Sequence, residues 1–146
     1  MVQLHSVSDQ TQVLDTMIAL TRLSYLQRAI IAGSGGMELY LGLRWRGFMR
    51  ATTISTSRLP RRQHAIGLLA DHNSAALEKA LTEMSPFLCA SATVALLIDA
   101  DRSGSGLEVR AKLQQMGFQI EAGVRCQQGL VLSACRQDVG QMKEVA

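Results

Sequence analysis

Aromatic residues are scarce in this chain, at 4%, and proline occurs only as Pro60 and Pro86 in 146 residues. Three cysteines, Cys89, Cys126 and Cys135, are an odd number at no metal-ligand spacing. That argues against a disulfide-framed secreted scaffold, predicts no metal site, and suits a reducing cytoplasm, which is the expected location. Long hydrophobic runs are missing too. The longest uncharged stretch, Met84 to Ile98, has 15 residues and contains Pro86. A membrane-spanning helix needs about 18 or more apolar residues, so no membrane partner is expected. The opening MVQLHSVSDQ has neither a basic nor an apolar region, and no secretory leader is expected. With no repeat, low-complexity tract or Pro/Gly-rich linker, residues 1–146 are expected to form one domain.

Acidic residues are absent from one long central segment. None lies between Glu38 and Asp71, whereas Arg44, Arg46, Arg50, Arg58, Arg61 and Arg62 do. The net charge of +3 is therefore concentrated there. Such a segment offers an anion-binding surface for nucleic acid, a phosphate group or an acidic partner. The plainer alternative is a solvated basic face paired across space with acids elsewhere.

What is present is ample for a core: 47% hydrophobic and 18% charged residues. Asp9 to Gln27 carries Val13, Leu14, Met17, Ile18 and Tyr25 at helical spacing, predicting a first helix over 9–27. Arg28 to Gly33 is a short apolar run closed by glycines, which predicts a buried strand, and Met37 to Arg46 a helix stopped by Gly47. Phe48 to Ser55 is rich in β-branched residues and reads as a second strand, and His64 to Ala70 as a third. Asn73 or Ser74 caps a helix with Leu77, Leu81 and Met84 on one face, ended by Pro86. Thr93 to Ile98 is the most strand-like run, and Ser105 with Glu108 makes a capping box for a helix presenting Val109, Leu113 and Met116. Phe118 to Arg125 and Leu130 to Arg136 form an antiparallel hairpin, and the polar tail 137–146 is expected to fray. Strands alternating with helices predict a three-layer α/β fold, a mainly parallel Rossmann-like sheet with a C-terminal antiparallel hairpin.

Several constellations carry possible chemistry. Gly33-Ser34-Gly35-Gly36 joins strand to helix, where backbone N–H groups approach a ligand. It fails as a dinucleotide fingerprint because Glu38 stands where the last glycine belongs, and a tight turn needing positive φ explains it equally. Asp71 and His72 follow the third strand, at the carboxyl end of a central position, as candidates for holding a donor and accepting a proton. Alternatively, Asp71 to Ser74 simply cap the next helix. Ser55-Thr-Ser-Arg58 matches the place where NADP-binding proteins hold a 2′-phosphate, a runner-up cofactor reading beside that of a polar loop. Asp99, Asp101 and Arg102 end the next strand beside the same crevice at a spacing compatible with a metal carboxylate pair, but without a histidine partner they read as a solvated loop, and His5 and His64 stand without ligand company. Trp45 lies among arginines. Such an aromatic can stack on single-stranded nucleic acid, though packing against the sheet or an interface is the commoner outcome and the expectation here.

The pattern resembles the class I S-adenosylmethionine-dependent methyltransferases from Arg28 to Arg136. Ala29-Ile-Ile-Ala-Gly33-Ser34-Gly35-Gly36 is similar to that family's first strand and glycine loop. Asp71-His72-Asn73 falls where the family keeps substrate-side polar groups, and Met116-Gly-Phe118 onward is similar to its helix-to-hairpin ending. The resemblance implies S-adenosylmethionine at Gly33, Ser34, Gly35 and Gly36, with Asp71 and His72 facing the substrate and the arginines holding an anionic one. Four departures mark a degenerate member. Ile31 replaces the acid before the loop, Met37 stands where the third glycine of the spaced motif would be, Thr53-Ile54-Ser55-Thr56 ends the second strand without an acid, and Ser57 to Gln63 is too short for the usual next helix and strand. These departures predict reduced or absent catalysis. The alternative is a non-catalytic protein- or nucleic-acid-binding module using residues 44–62. A homodimer covering an open sheet edge is a further expectation.

Overall fold

The computed structural model describes residues 2–54, 59–99 and 105–136. Its elements run α1 (Val2–Thr21), β1 (Ala29–Ala32), α2 (Gly36–Trp45), β2 (Ala51–Thr53), β3 (His64–Ala70) and α3 (Ser74–Met84). They continue as β4 (Leu88–Asp99), α4 (Ser105–Gln115), β5 (Phe118–Cys126) and β6 (Gly129–Arg136). The six strands form one sheet in the order β2-β1-β3-β4-β6-β5. β2, β1, β3 and β4 are parallel, and β6 runs antiparallel to both β4 and β5. The expected three-layer sheet with its C-terminal hairpin is therefore present.

Side chains alternate across the central strands, and both faces are buried. Ile30, Leu69, Val94, Leu96 and Leu132 point to the face covered by α3 and α4, where they meet Leu77, Leu81, Val109 and Leu113. Ile31, Leu68, Ala95 and Val131 belong to the other face, beneath Val13, Leu14 and Met17 of α1 and Leu39 and Leu43 of α2. β1 and β3 are neighbours, and the chain leaves β1 toward β2 on one side and β3 toward β4 on the other. Between them lies the point where strand order reverses, the place at which open α/β sheets take ligands.

Four expectations are corrected by local physics. The first helix runs from Val2 to Thr21 rather than over 9–27. Arg22 adopts a left-handed φ of +56°, and the Leu23 N–H closes back on the Ile18 carbonyl at 3.2 Å. This is a Schellman stop with arginine where glycine is usual. The second strand is only Ala51–Thr53, because Gly47 (φ +91°) turns the chain and Phe48 is spent stacking on Tyr25 with ring centroids 4.4 Å apart. The β4 strand starts at Leu88 rather than Thr93, and its pairing with β3 is irregular between His64 and Ile66. Trp45 is not packed against the sheet, the first of its two expected places: it is 89% exposed.

Other elements match. Asn73 caps α3 by accepting from the Ala76 N–H at 2.8 Å. Glu108 accepts from the Ser74 hydroxyl at 2.6 Å, which ties α4 to α3; the Ser105 side chain of the expected capping box lies outside the described residues. No strand or helix occurs between β2 and β3 among the described residues, consistent with the expected loss of a strand there. His64 is buried, and its Nδ1 lies 3.0 Å from the Phe87 carbonyl, a structural position. The outer strand β5 carries Glu121 and Arg125, exposed, and a register shift between Ile120 and Ala122, devices that discourage edge pairing. The tail 137–146 lies outside the described residues.

Candidate functional site

The glycine loop is pressed onto the end of β3. Gly33 has φ +97°, and a Cβ there would lie 2.0 Å from the Ala70 carbonyl oxygen. The Gly35 N–H donates to that same oxygen at 3.0 Å. A Cβ on Gly36 would meet Ile31 Cγ2 at 3.1 Å, so the start of α2 sits directly on β1. The positive φ expected of a tight turn is therefore present at Gly33, and the close approach brings Ser34 beside Asp71.

Asp71 gathers three donors. The Ser34 N–H reaches Oδ2 at 3.2 Å, the Ser34 hydroxyl reaches Oδ1 at 2.9 Å, and the His72 N–H reaches Oδ1 at 2.7 Å. It is thus a clamp between loop and strand, and the helix cap falls to Asn73 instead. Burial pushes the Asp71 carboxyl up, but the His72 N–H, the Ser34 hydroxyl and the Ser34 N–H outweigh it, with help from the His72 charge, and hold it below its ordinary value. A carboxyl depressed in the folded state adds stability that is present above its unfolded pKa and is lost as pH falls through the folded one. Asp71→Asn should therefore narrow its stability gap from the parent as pH drops below about 4. Urea unfolding at a series of pH values checks this; a gap unchanged between about pH 6 and pH 3 would remove Asp71 as the clamp.

Ser34, Gly35, Asp71 and His72 border one cavity of about 290 Å³, which continues between α1 and α2. Gly33 and Gly36 shape the loop from behind without lining it. The sequence reading missed the remaining wall. Thr11, Val13 and Leu14 of α1 cover the cavity, Glu38 and Leu39 of α2 flank it, and Gln128 reaches it from the β5–β6 turn. Glu38, two residues into α2 after the loop, was the findable one; the α1 contribution comes from tertiary packing alone.

The arginines do not converge here. Arg46 lines the cavity and is ion-paired with Asp15. Arg44 and Arg50 are exposed and donate to the carbonyls of Met49 (3.0 Å) and Leu26 (2.9 Å). Arg61 and Arg62 precede β3, at the amino edge of the sheet, opposite the cavity's carboxyl-edge loops. Parallel strands send the loops that precede them and those that follow them to opposite edges, which separates residues close in sequence. Arg58 and the Ser55–Arg58 run lie outside the described residues, as do Asp101, Arg102 and the side chain of Asp99.

No family model matches the sequence, and no curated protein matches it. Solved structures do. A ribosomal protein L11 methylase from Lactobacillus delbrueckii subsp. bulgaricus superposes with a TM-score of 0.62 at 12% identity, over 88% of this chain and 79% of that one. The 1,6-didemethyltoxoflavin-N1-methyltransferase of Burkholderia thailandensis, solved with S-adenosylhomocysteine, gives 0.61 at 12% identity over 89% and 79%. A putative S-adenosylmethionine-dependent methyltransferase from Listeria monocytogenes gives 0.59 at 11% identity over 91% and 99%. The chain has a methyltransferase-like fold. The likeness is one of architecture, and folds host many functions, so activity must be argued from the site itself.

Ile31, in place of an acid before the loop, is 1% exposed and part of the core beneath α2, and Thr53 and Ile54 end β2 without a carboxylate. Ser34 and Asp71 together place a hydroxyl and a carboxylate at the cavity wall, a polar, charged end for a ligand. Ile31 and the end of β2 at Thr53 and Ile54 supply no carboxylate to the site.

Proposed function

We propose that the chain is a degenerate methyltransferase-like protein that holds S-adenosylmethionine beside the glycine loop, with reduced turnover. The observation supporting this is the shared cavity of Ser34, Gly35, Asp71 and His72 at the switch point of the sheet. When bound, S-adenosylmethionine supplies an electrophilic methyl group on a cationic sulfonium. The wall holds Glu38 and Asp71 against Arg46, whose charge is offset by its ion pair with Asp15, and this balance favours a cation over an anion. An ionised carboxylate has about four lone-pair sites, so Asp71, with three donors in place, keeps acceptor capacity for a ligand amino group. His72, exposed at the cavity wall, accepts the proton that a methyl acceptor releases. Without a carboxylate at the end of the second strand, where Thr53-Ile54-Ser55-Thr56 stands, the charge-assisted, bidentate contact to ribose hydroxyls that the resemblance implies is missing, and binding is weakened.

Thermal unfolding with about 1 mM S-adenosylhomocysteine tests the reading. A ligand at a hundred times its Kd stabilises by about 2.7 kcal/mol, a rise of roughly 5–10 °C for a chain of this size. No rise would reject the cofactor assignment. A rise with NADP but not S-adenosylhomocysteine would transfer the site to the nucleotide alternative carried by Ser55–Arg58.

A further inference from the structure

The edge of the sheet opposite the cavity gathers two features that the cofactor site leaves unused. β2, β1 and β3 are parallel neighbours, so the residues just before them stand side by side along one edge. Arg50 precedes β2, Arg28 precedes β1, and Arg61 and Arg62 precede β3. Neighbouring strands are about 4.8 Å apart, so these cations form a row rather than a cluster. The Arg62 N–H donates to the Pro86 carbonyl at 3.1 Å and carries the row on toward the start of β4. Segments 22–28, 44–50 and 59–63 contain no acidic residue.

The second feature is exposed apolar surface in the same loops. Trp45 is 89% exposed, Leu26 79%, and Tyr25 and Met49 61% each. Arg44 and Arg50 donate to the backbone of Met49 and Leu26, so charge and apolar surface are physically joined. The Tyr25 ring is backed by Phe48, leaving one face outward, and the Trp45 indole is largely uncovered.

We infer that this amino edge binds single-stranded nucleic acid, with phosphates along Arg50, Arg28, Arg61 and Arg62 and a base stacked on Trp45. A row of cations over adjacent strands complements a linear polyanion, and an exposed indole takes a base only when that base is unpaired. The chemistry is arginine chemistry: the chain's three lysines, Lys79, Lys112 and Lys143, all lie outside these segments. The planar guanidinium fork grips phosphate in two places, which an ammonium does not. Like charge opposes a second copy of the chain on this edge. The inference does not rest on the cofactor reading, because it uses the other edge of the sheet.

Trp45 is the only tryptophan, so its fluorescence reports on this edge alone. The full chain is titrated with an oligo-dT of about 12 nucleotides in roughly 50 mM salt. Saturable quenching is expected, with affinity falling on a log–log salt plot at a slope of about −3, four phosphates at roughly −0.7 each. The Arg61→Gln/Arg62→Gln double variant should flatten that slope by about 1.4. Trp45→Ala, followed by anisotropy of a labelled oligonucleotide, should bind about tenfold more weakly. All three side chains are exposed, and circular dichroism confirms that the variants fold. Absent quenching, salt-independent binding or equal affinity for a duplex would overturn the inference. So would a blue shift of Trp45 with phosphatidylglycerol vesicles and no response to the oligonucleotide, which would assign the edge to a lipid surface.

Discussion

Gly33→Val is expected to cost about 3 kcal/mol or more, lowering Tm by roughly 6–12 °C. Two effects add. The residue sits at φ +97°, where a β-branched side chain carries a strain of about 1–3 kcal/mol. Its Cβ would also lie 2.0 Å from the Ala70 carbonyl oxygen, a backbone atom that cannot turn aside. Relief requires the loop to lift from β3, which takes Ser34 out of reach of Asp71 and opens the floor of the cavity. Gly35→Ala is the internal control. Its backbone φ is −87°, and the new methyl is tight only against Ala70 Cβ at 3.1 Å, with the Ala70 carbonyl oxygen at an ordinary 3.5 Å, so a cost of about 1 kcal/mol is expected. Urea and thermal unfolding of both variants check the difference; equal losses would show that the loop is not pinned at Gly33. A bulkier residue at Gly35 would press further into Ala70, so the loop's role in binding is better probed from Ser34 or Asp71.

The pinned loop was legible in the sequence because a short apolar run ending in glycines has few structural meanings. β3, α3 and the hairpin were legible for the same reason, each bounded by strong turn or cap chemistry at Asp71-His72-Asn73, Pro86 and Gly129. Features without a local signature were not legible. Arg22 stops α1 in a conformation usually signalled by glycine, so the apolar spacing as far as Tyr25 suggested more helix than forms. Cys89-Ala-Ser-Ala92 has small side chains that give no alternation, and the first half of β4 was hidden behind them. At the site, Ser34, Gly35, Asp71 and His72 were found from strand ends, which local sequence marks. The α1 wall was not, because only packing decides which helix covers a crevice. The arginine run was visible as a run, but its division between the cavity and the opposite edge follows from strand direction, which no single segment encodes.

The α1 wall leads to the second large expectation. Met17 is fully buried at the centre of the contact between α1 and the sheet, beside Val13 and Leu14. Met17→Ala should cost about 2–5 kcal/mol, the lost transfer energy of the side chain plus the cavity left behind. Leu81→Ala, equally buried in α3 on the other face, should cost a similar amount. The two differ in what they loosen. Met17 holds the helix whose Thr11, Val13 and Leu14 wall the cavity, whereas Leu81 belongs to the cluster behind the sheet. Hydrogen exchange in the Met17 variant should therefore rise in α1 ahead of β3, as local opening does when a peripheral element loses its anchor. The thermal response to S-adenosylhomocysteine should shrink in that variant and persist in Leu81→Ala, because a ligand stabilises only the state that holds its site together. Equal ligand responses in the two variants would separate α1 from the binding site and leave it to the loop, α2, the end of β3 and the β5–β6 turn.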